Sequence, residues 1–240
     1  MYNVDKYKDI HKGDRAFLVG LGPSLSIEQL DLLKDEITFS SNKIFLSFQD
    51  TKWRPKYYSI TDLFVAENNH KIISDLKLHK IFSDNVKHFF SDNDIDWIQH
   101  NLRIRDEKGN LEYNFARDLN SGTYRGGTII YFQMQLAFFM GIKEIYLLGV
   151  DFSYENSPES EMDSLHGKVL ISKGGEKNHF HPDYRKKNEK WSKPDMERQL
   201  GAFNCARLFL EKNNVKVVNL TPGTKLDVFP KNSLSEILKK

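Results

Sequence analysis

Cysteine is nearly absent. Cys205 is the only one in 240 residues, which excludes an intrachain disulfide framework and a cysteine-built zinc site and suits a reducing compartment. Charge of one sign is missing too: 35 Lys and Arg face 33 Asp and Glu, leaving a net +2. Such a chain has no global field of the kind that marks a nucleic-acid binder, so no nucleic-acid partner is expected and any anion site must be local. Long hydrophobic runs are also lacking. The longest nearly apolar stretch, Thr128 to Met140, carries Gln133 and Gln135 and falls short of the ~20 residues that cross a bilayer. The amino-terminal MYNVDKYKDIHKGDR is polar, with no export signal, and repeats and low-complexity linkers are absent. These absences predict a soluble, cytoplasmic protein.

What is present is core material. The chain is 39% hydrophobic, 28% charged and 12% aromatic, enough for one compact domain over residues 1–240. Ala16 to Gly20 reads as a buried strand, a glycine turn follows, and the capping box Ser26-Ile27-Glu28-Gln29 opens a helix from about Ile27 to Leu33, with Leu25 and Leu30 placed as a staple. Lys43 to Ser47, Lys56 to Ile60, His79 to Phe82 and Lys87 to Phe90 read as strands, and Phe64 to Leu76 as a helix. Thr128 to Met140 is apolar almost all round, the mark of a buried helix, with Gly141 as its cap and a core strand at Glu144 to Gly149. Residues 151–193 sustain neither period and read as a functional or disordered loop, a lid over 153–193. Pro194 then opens a helix to about Lys212 with Ser192 as its cap, Lys216 to Asn219 is a strand, and Ser233 to Glu236 starts a terminal helix. Strands alternating with helices define an α/β fold, a Rossmann-like sheet flanked by helices.

Several clusters are able to carry chemistry. Gly20, Gly22, Pro23 and Ser24 lie between a strand and a helix, where glycine lets amides approach a phosphate; the alternative is a tight turn. Ser121, Gly122, Arg125, Gly126, Gly127 and Thr128 repeat that pattern before the buried helix, with Arg125 able to neutralise a diphosphate, or serve as a loop that merely permits packing. Asp151 and Asp62 each follow a strand, the place where open α/β sheets bind ligands. Either would hold a hydroxyl or a magnesium ion, or cap a helix. His179, His181 and His166 lie in the long loop. A histidine there suits a general base, whereas the i, i+2 pair gives weak zinc spacing, and solvated rings remain the alternative. The basic run Arg185, Lys186, Lys187, Lys190 and Lys193 would clamp a phosphate or form a solvated face. No metal ligand set is read from the sequence.

Five segments together carry a resemblance: Gly20 to Leu25, Gly126-Gly127-Thr128, Gly141 to Asp151, Asn178-His179-Phe180, and Asn219 to Leu226. From about residue 13 to 238 the chain resembles the domain of archaeal hydroxymethylpterin diphosphokinases and of bacterial surface-glycan and flagellin-glycosylation proteins. It is more distantly similar to the family 42 bacterial sialyltransferases. The resemblance implies a nucleotide held at the carboxyl ends of the strands, with a CMP-sugar or ATP as donor. By the sialyltransferase likeness His179 is the base, the loops at Gly22 and Ser121 to Thr128 hold the nucleotide, Ser47-Phe48-Gln49 stands where that family has asparagines, and Tyr154 assists the leaving phosphate. By the diphosphokinase likeness Asp62 and Asp151 sit near magnesium-bound phosphates.

The expected function is therefore a nucleotide-sugar-dependent glycosyltransferase of bacterial surface-glycan assembly, with His179 and Asp151 as catalytic residues and no cofactor required. The alternative is a diphosphokinase using magnesium and ATP, and a third is a non-catalytic nucleotide- or glycan-binding module. The implied partners are a nucleotide-sugar donor and a glycan or lipid-linked acceptor, with room for peripheral membrane contact and for an oligomer.

Overall fold

The computed structural model describes residues 2–91, 93–101, 104–105, 107, 109–155, 160–162, 169–175 and 177–239. Along the chain run β1 (Arg15–Val19), α1 (Ile27–Asp31), β2 (Ile37–Ser41), β3 (Tyr57–Ser59), α2 (Leu63–Asp75), β4 (Lys80–Ser83) and β5 (Ile95–Ile98). Two short ribbons follow: β6 (His100–Asn101) pairs with β9 (Thr123–Tyr124), and β7 (Ile104–Arg105) with β8 (Leu111–Glu112). Next come α3 (Ile129–Phe139), β10 (Glu144–Leu148), β11 (Ser160–Met162), β12 (Val169–Ser172), β13 (Lys190–Ser192), α4 (Met196–Lys212), β14 (Lys216–Asn219) and α5 (Leu234–Leu238).

Seven strands form one parallel sheet in the order β14-β10-β1-β2-β3-β4-β5. The chain winds outward from β1 to β5 and then returns to β10, on the other side of β1, so the loops after β1 and β10 part company at a topological switch point. Both faces of the sheet are covered. Ala16 and Leu18 pack with α3 and α4, while Phe17 and Val19 pack with α1, α2 and α5. That double burial makes β1 read as an unbroken apolar run rather than an alternating one. The fold is thus the Rossmann-like α/β arrangement that the sequence predicts. Among the described residues, no helix is long and apolar enough to cross a membrane.

Four readings are corrected. Residues 43–47 are not a strand: Asn42–Ser47 winds as 3-10 turns, closed by Ser47 Oγ donating to the Ile44 carbonyl at 2.8 Å. The strand is β2, just upstream, whose Ser40 and Ser41 are fully buried; Ser40 Oγ donates to the Val19 carbonyl at 3.1 Å. Lys87 to Phe90 likewise falls in the 3-10 segment Asp84–Phe89, and the edge strand is β5. Asp195, not Ser192, caps α4, accepting from Arg198 N at 3.0 Å. Finally, the irregular stretch 151–193 contains a three-stranded antiparallel sheet, β11-β12-β13. Residues 156–159, 163–168 and 176 of the expected lid, His166 with them, lie outside the described residues.

The amino-terminal arm is tied down before β1. Asp9, His11 and Gly13 donate backbone N–H groups to the carbonyls of Phe139, Met140 and Gly141 at 3.1, 2.8 and 2.9 Å, closing the last turn of α3. Tyr7 bonds to His79 and Asp96, Lys6 pairs with Asp96 at 2.6 Å, and His11 Nε2 meets Tyr57 Oη at 2.7 Å.

The small sheet is anchored to the large one by a buried ion pair. Lys43 Nζ lies 2.8 and 2.7 Å from the two carboxylate oxygens of Glu189, with the lysine side chain 5% exposed and the glutamate 16%. Removing one partner of a buried pair strands the other charge, which typically costs ~3–5 kcal/mol, whereas replacing both by apolar groups is often neutral. Accordingly Glu189→Ala should lower the unfolding free energy by about 3 kcal/mol, and the double variant Lys43→Met/Glu189→Leu should recover most of that loss in urea denaturation.

Candidate functional site

The site begins where β1 and β10 end. Gly20 N donates to the Leu148 carbonyl at 2.7 Å and Gly22 N to the Gly149 carbonyl at 2.9 Å, so the two loops lie against each other. A Cβ on Gly20 would come within 2.5 Å of the Gly149 oxygen, one on Gly149 (φ +66°) within 2.6 Å of the Gly20 oxygen, and one on Gly22 would collide with the Asp151 carboxylate. Glycine is required here first by loop against loop. Asp151 then clasps the turn: Ser24 N and Ser24 Oγ donate to its two oxygens at 3.2 and 2.9 Å.

The loop after β14 buttresses this pair. Val150 N donates to Thr221 Oγ1 at 2.9 Å, Thr224 Oγ1 to the Val150 carbonyl at 2.8 Å, and Lys225 N to the Asp151 carbonyl at 2.8 Å. The motif Asn219 to Leu226 is therefore a brace. The motif Asn178-His179-Phe180 is drawn to the same place, because Phe180 N donates to the Leu21 carbonyl at 3.0 Å. Asn178 exchanges bonds with the Glu155 backbone, at 2.8 and 3.1 Å, closing the base of the intervening excursion. His179 stacks on Tyr184, ring centroids 3.6 Å apart and planes 6° from parallel. Burial raises the Asp151 carboxyl above its ordinary value, against the Ser24 hydrogen bonds and the nearby His179 charge.

A cavity of about 520 Å³ opens above these strand ends. Gly20, Gly22, Asp62, Arg125, Gly126 and Gly127 line it, and so do Thr128, Asp151 and His179. The sequence-predicted clusters thus largely converge. Ser121 and Gly122 do not line it: Gly122 (φ +87°) sits against the Gln99 carbonyl and Ser121 accepts from Asn101 at 2.7 Å, so both serve the β6-β9 ribbon. Pro23 and Ser24 also stay off the wall, and Gly126 is small because Tyr131 and Ala202 crowd it. Asp62 is a helix cap, its Oδ1 accepting from Phe64 N at 2.8 Å and Val65 N at 3.0 Å. His181 caps a short turn through Asp183 N at 3.1 Å. Tyr154 packs by Trp191 and Ser47 to Gln49 lie off the cavity.

Several lining residues were not anticipated. Asn42, at φ +48°, and the fully buried Ser41 stand at the end of β2, and neither Ser41 Oγ nor Asn42 Oδ1 has a hydrogen-bond partner among the described residues. Phe152 is held at φ +52° beside Asp151. Non-glycine residues in this conformation cluster at ligand sites. His100 and Arg198 join the wall from β6 and α4. Burial, then the charges of Arg125 and Arg198, push the His100 pKa down to about 3, while its Nδ1 is 2.9 Å from Thr123 Oγ1. Arg125 Nε is buried without a partner among the described residues, and Arg198 packs over Gly127. These guanidinium groups stand by the first turn of α3, capped by Thr128 accepting from Ile130 N at 3.3 Å. Two guanidinium groups, backbone amides and a helix N-terminus are groups whose chemistry suits an anion.

A magnesium site is not built from these carboxylates alone. Both Asp151 oxygens accept from Ser24, Asp62 is engaged as a cap, and among the described residues no three His, Cys, Asp or Glu are grouped to hold a metal.

Fold and cavity together define a Rossmann-like α/β protein with an arginine-lined cleft at its switch point. The sequence pattern of the 6-hydroxymethylpterin diphosphokinase MptE-like family matches residues 1–157, and the chain belongs to that family. The matched part includes the glycine turn, Arg125 and Asp151 but stops before His179 and Arg198. No curated protein sequence matches the chain. Among solved structures, a MAf glycosyltransferase from Magnetospirillum magneticum AMB-1 is similar, at 14% identity and a TM-score of 0.49, over 95% of this chain and 37% of that one. The chain thus spans little more than a third of that protein's length.

Two measurements check the geometry. Gly22→Ala should displace Asp151 from Ser24 and lose ~1–3 kcal/mol of stability by strain and a broken clasp, read by denaturation. His100 binds its proton more weakly when folded than unfolded, so it contributes stability that is full above pH 6.5 and is lost as the pH falls toward about 3. The unfolding free energy of His100→Asn should therefore fall less steeply than that of the parent across that window.

Proposed function

We propose that the protein is a transferase acting on a nucleotide-activated sugar, in the cytoplasm, in the assembly of a surface glycan. The observation that carries this reading is the convergence on one cavity of the glycine turn, Arg125, Arg198, the capped start of α3 and His179. The donor phosphate would rest against the guanidinium groups and the α3 amides, where preorganised charge stabilises the departing phosphate without reorganisation. The acceptor hydroxyl, on a glycan or lipid-linked acceptor, would surrender its proton to His179 as its oxygen forms the new bond to the anomeric carbon and the sugar–phosphate bond breaks. Asp151 would support the site by holding the turn through Ser24.

A second reading has its own support. The family to which the chain belongs carries the description of a 6-hydroxymethylpterin diphosphokinase, which favours transfer of a pyrophosphoryl group from ATP to an alcohol. In that reaction the same cationic wall would neutralise the transferred phosphates. Magnesium would travel with the nucleotide and supply further charge neutralisation.

One panel separates the two. Thermal unfolding is followed with CMP-, UDP- and GDP-sugars, with ATP and magnesium, and with pterins; a ligand at 100 times its dissociation constant adds about 2.7 kcal/mol. Stabilisation by a nucleotide sugar, with His179→Ala keeping that shift and losing turnover by about 10²–10⁴-fold, supports glycosyl transfer. Stabilisation by ATP with magnesium and by pterins alone overturns it in favour of the diphosphokinase. Binding with no transfer to lose would leave a non-catalytic module.

A further inference from the structure

One wall of the cavity sets a hydrogen-bond acceptor among cations. His100, in β6, is pinned: its backbone N donates to Asp84 Oδ1 at 2.9 Å, its ring stands edge-on to Phe132 with centroids 5.7 Å apart, and its Nδ1 lies 2.9 Å from Thr123 Oγ1. The fully buried Thr123 hydroxyl donates its single proton to the Gln99 carbonyl at 3.3 Å, so toward the imidazole it can only accept. Nδ1 is therefore the ring nitrogen that carries the proton, and Nε2 presents a lone pair.

That lone pair is unused. Nε2 has no hydrogen-bond partner among the described residues, and among them no polar atom of His100 is both sealed from solvent and unbonded. The nitrogen thus opens on the space that the ring lines together with Arg125, Gly127 and Thr128. Burial, then the charges of Arg125 and Arg198, keep a second proton off the ring down to a pH of about 3, while Asp84 spends its Oδ1 on the backbone amide.

A neutral acceptor beside cations restricts what can meet it. An anionic oxygen would oppose the lone pair, and an ammonium would be repelled by the neighbouring arginines. A hydroxyl suits the place, because it donates to nitrogen and still has lone pairs to turn toward a guanidinium. Inorganic phosphate would complement Arg125 and leave Nε2 unmatched, whereas a phosphate ester of a polyhydroxy compound would match both.

We propose that His100 selects the hydroxyl-bearing part of a phosphate ester, its Nε2 accepting from one sugar hydroxyl while the phosphate lies toward Arg125. The inference deepens the transferase reading above and rests on it, since a nucleotide-activated sugar joins hydroxyls to phosphate. The hydroxyl belongs to the ribose or to the transferred sugar, and the experiment separates these sources.

The test is calorimetric titration of the full chain in two arms. CMP, UDP, GDP and ATP are compared with their 2′,3′-dideoxy forms, and the CMP-, UDP- and GDP-sugars with the bare nucleotides. In one arm, loss of the hydroxyls is expected to weaken binding about fivefold, the worth of one neutral hydrogen bond. His100→Phe, which keeps a ring against Phe132, should erase that difference and leave the affinity of the hydroxyl-free partner unchanged. A merely structural histidine would weaken both partners alike. Should His100→Phe fail to fold, long-range proton–nitrogen NMR of the isotope-labelled parent reads the tautomer directly, and a proton on Nε2 would overturn the proposal. Binding that is indifferent to hydroxyls in both arms, or a difference that survives His100→Phe, sinks this inference and leaves the nucleotide reading standing. No binding of any nucleotide or nucleotide sugar sinks both.

Discussion

Everything in the cleft depends on two loops that touch through bare backbone. Gly20 and Gly149 leave no room for a side chain between the ends of β1 and β10, and Asp151 can reach Ser24 only because Gly22 has no Cβ. The contact fixes the floor of the cavity and the direction of the first helix. It also reassigns the glycines: they are needed for close approach of protein to protein, and any ligand must be met by what stands around that floor. The brace from Thr221 and Thr224 and the tether from Phe180 to Leu21 attach to the same pair of loops. Four segments distant in sequence are thereby registered against one another.

Around the floor the charges are segregated. Arg125, Arg198 and the start of α3 make one side cationic, with His100 kept neutral between them by burial and by their field. The imidazole of His179 is held by its stack on Tyr184, which is itself buried among the residues packed under α1 and α2. On the reading proposed above, the cationic side would meet the donor phosphate and the imidazole would take the acceptor proton.

The sheet was legible because its physics is local. β1 and β10 are buried on both faces and so read as continuous apolar runs, and α1, α2, α3 and α5 announce themselves by Ser26, Asp62, Thr128 and Ser233 at their caps. What was lost involves partners far along the chain. β2 hides because Ser40 and Ser41 look like a loop, yet Val19 and Gln133 supply the hydrogen bonds that let Ser40 be buried. Ile44, Phe45 and Leu46 look like a strand but follow Asn42, whose left-handed backbone turns the chain into 3-10 geometry. His100 and Arg198 carry no motif at all, since they reach the cavity from a two-residue ribbon and from the first turn of a predicted helix. Ser121 and Gly122 failed for the opposite reason: their glycine pattern was genuine but served Gln99. Asn42, a residue type that tolerates left-handed backbone, was the one missed position with a readable local signal.

The amino-terminal arm has a consequence of its own. Its amides, rather than solvent, finish the last turn of α3, the helix whose first turn lines the cleft about 16 Å away by the rise of 11 residues. The arm and the cleft thus stand at opposite ends of one helix. Loss of the segment up to Gly13 would leave the Phe139, Met140 and Gly141 carbonyls to water and let the end of that helix fray.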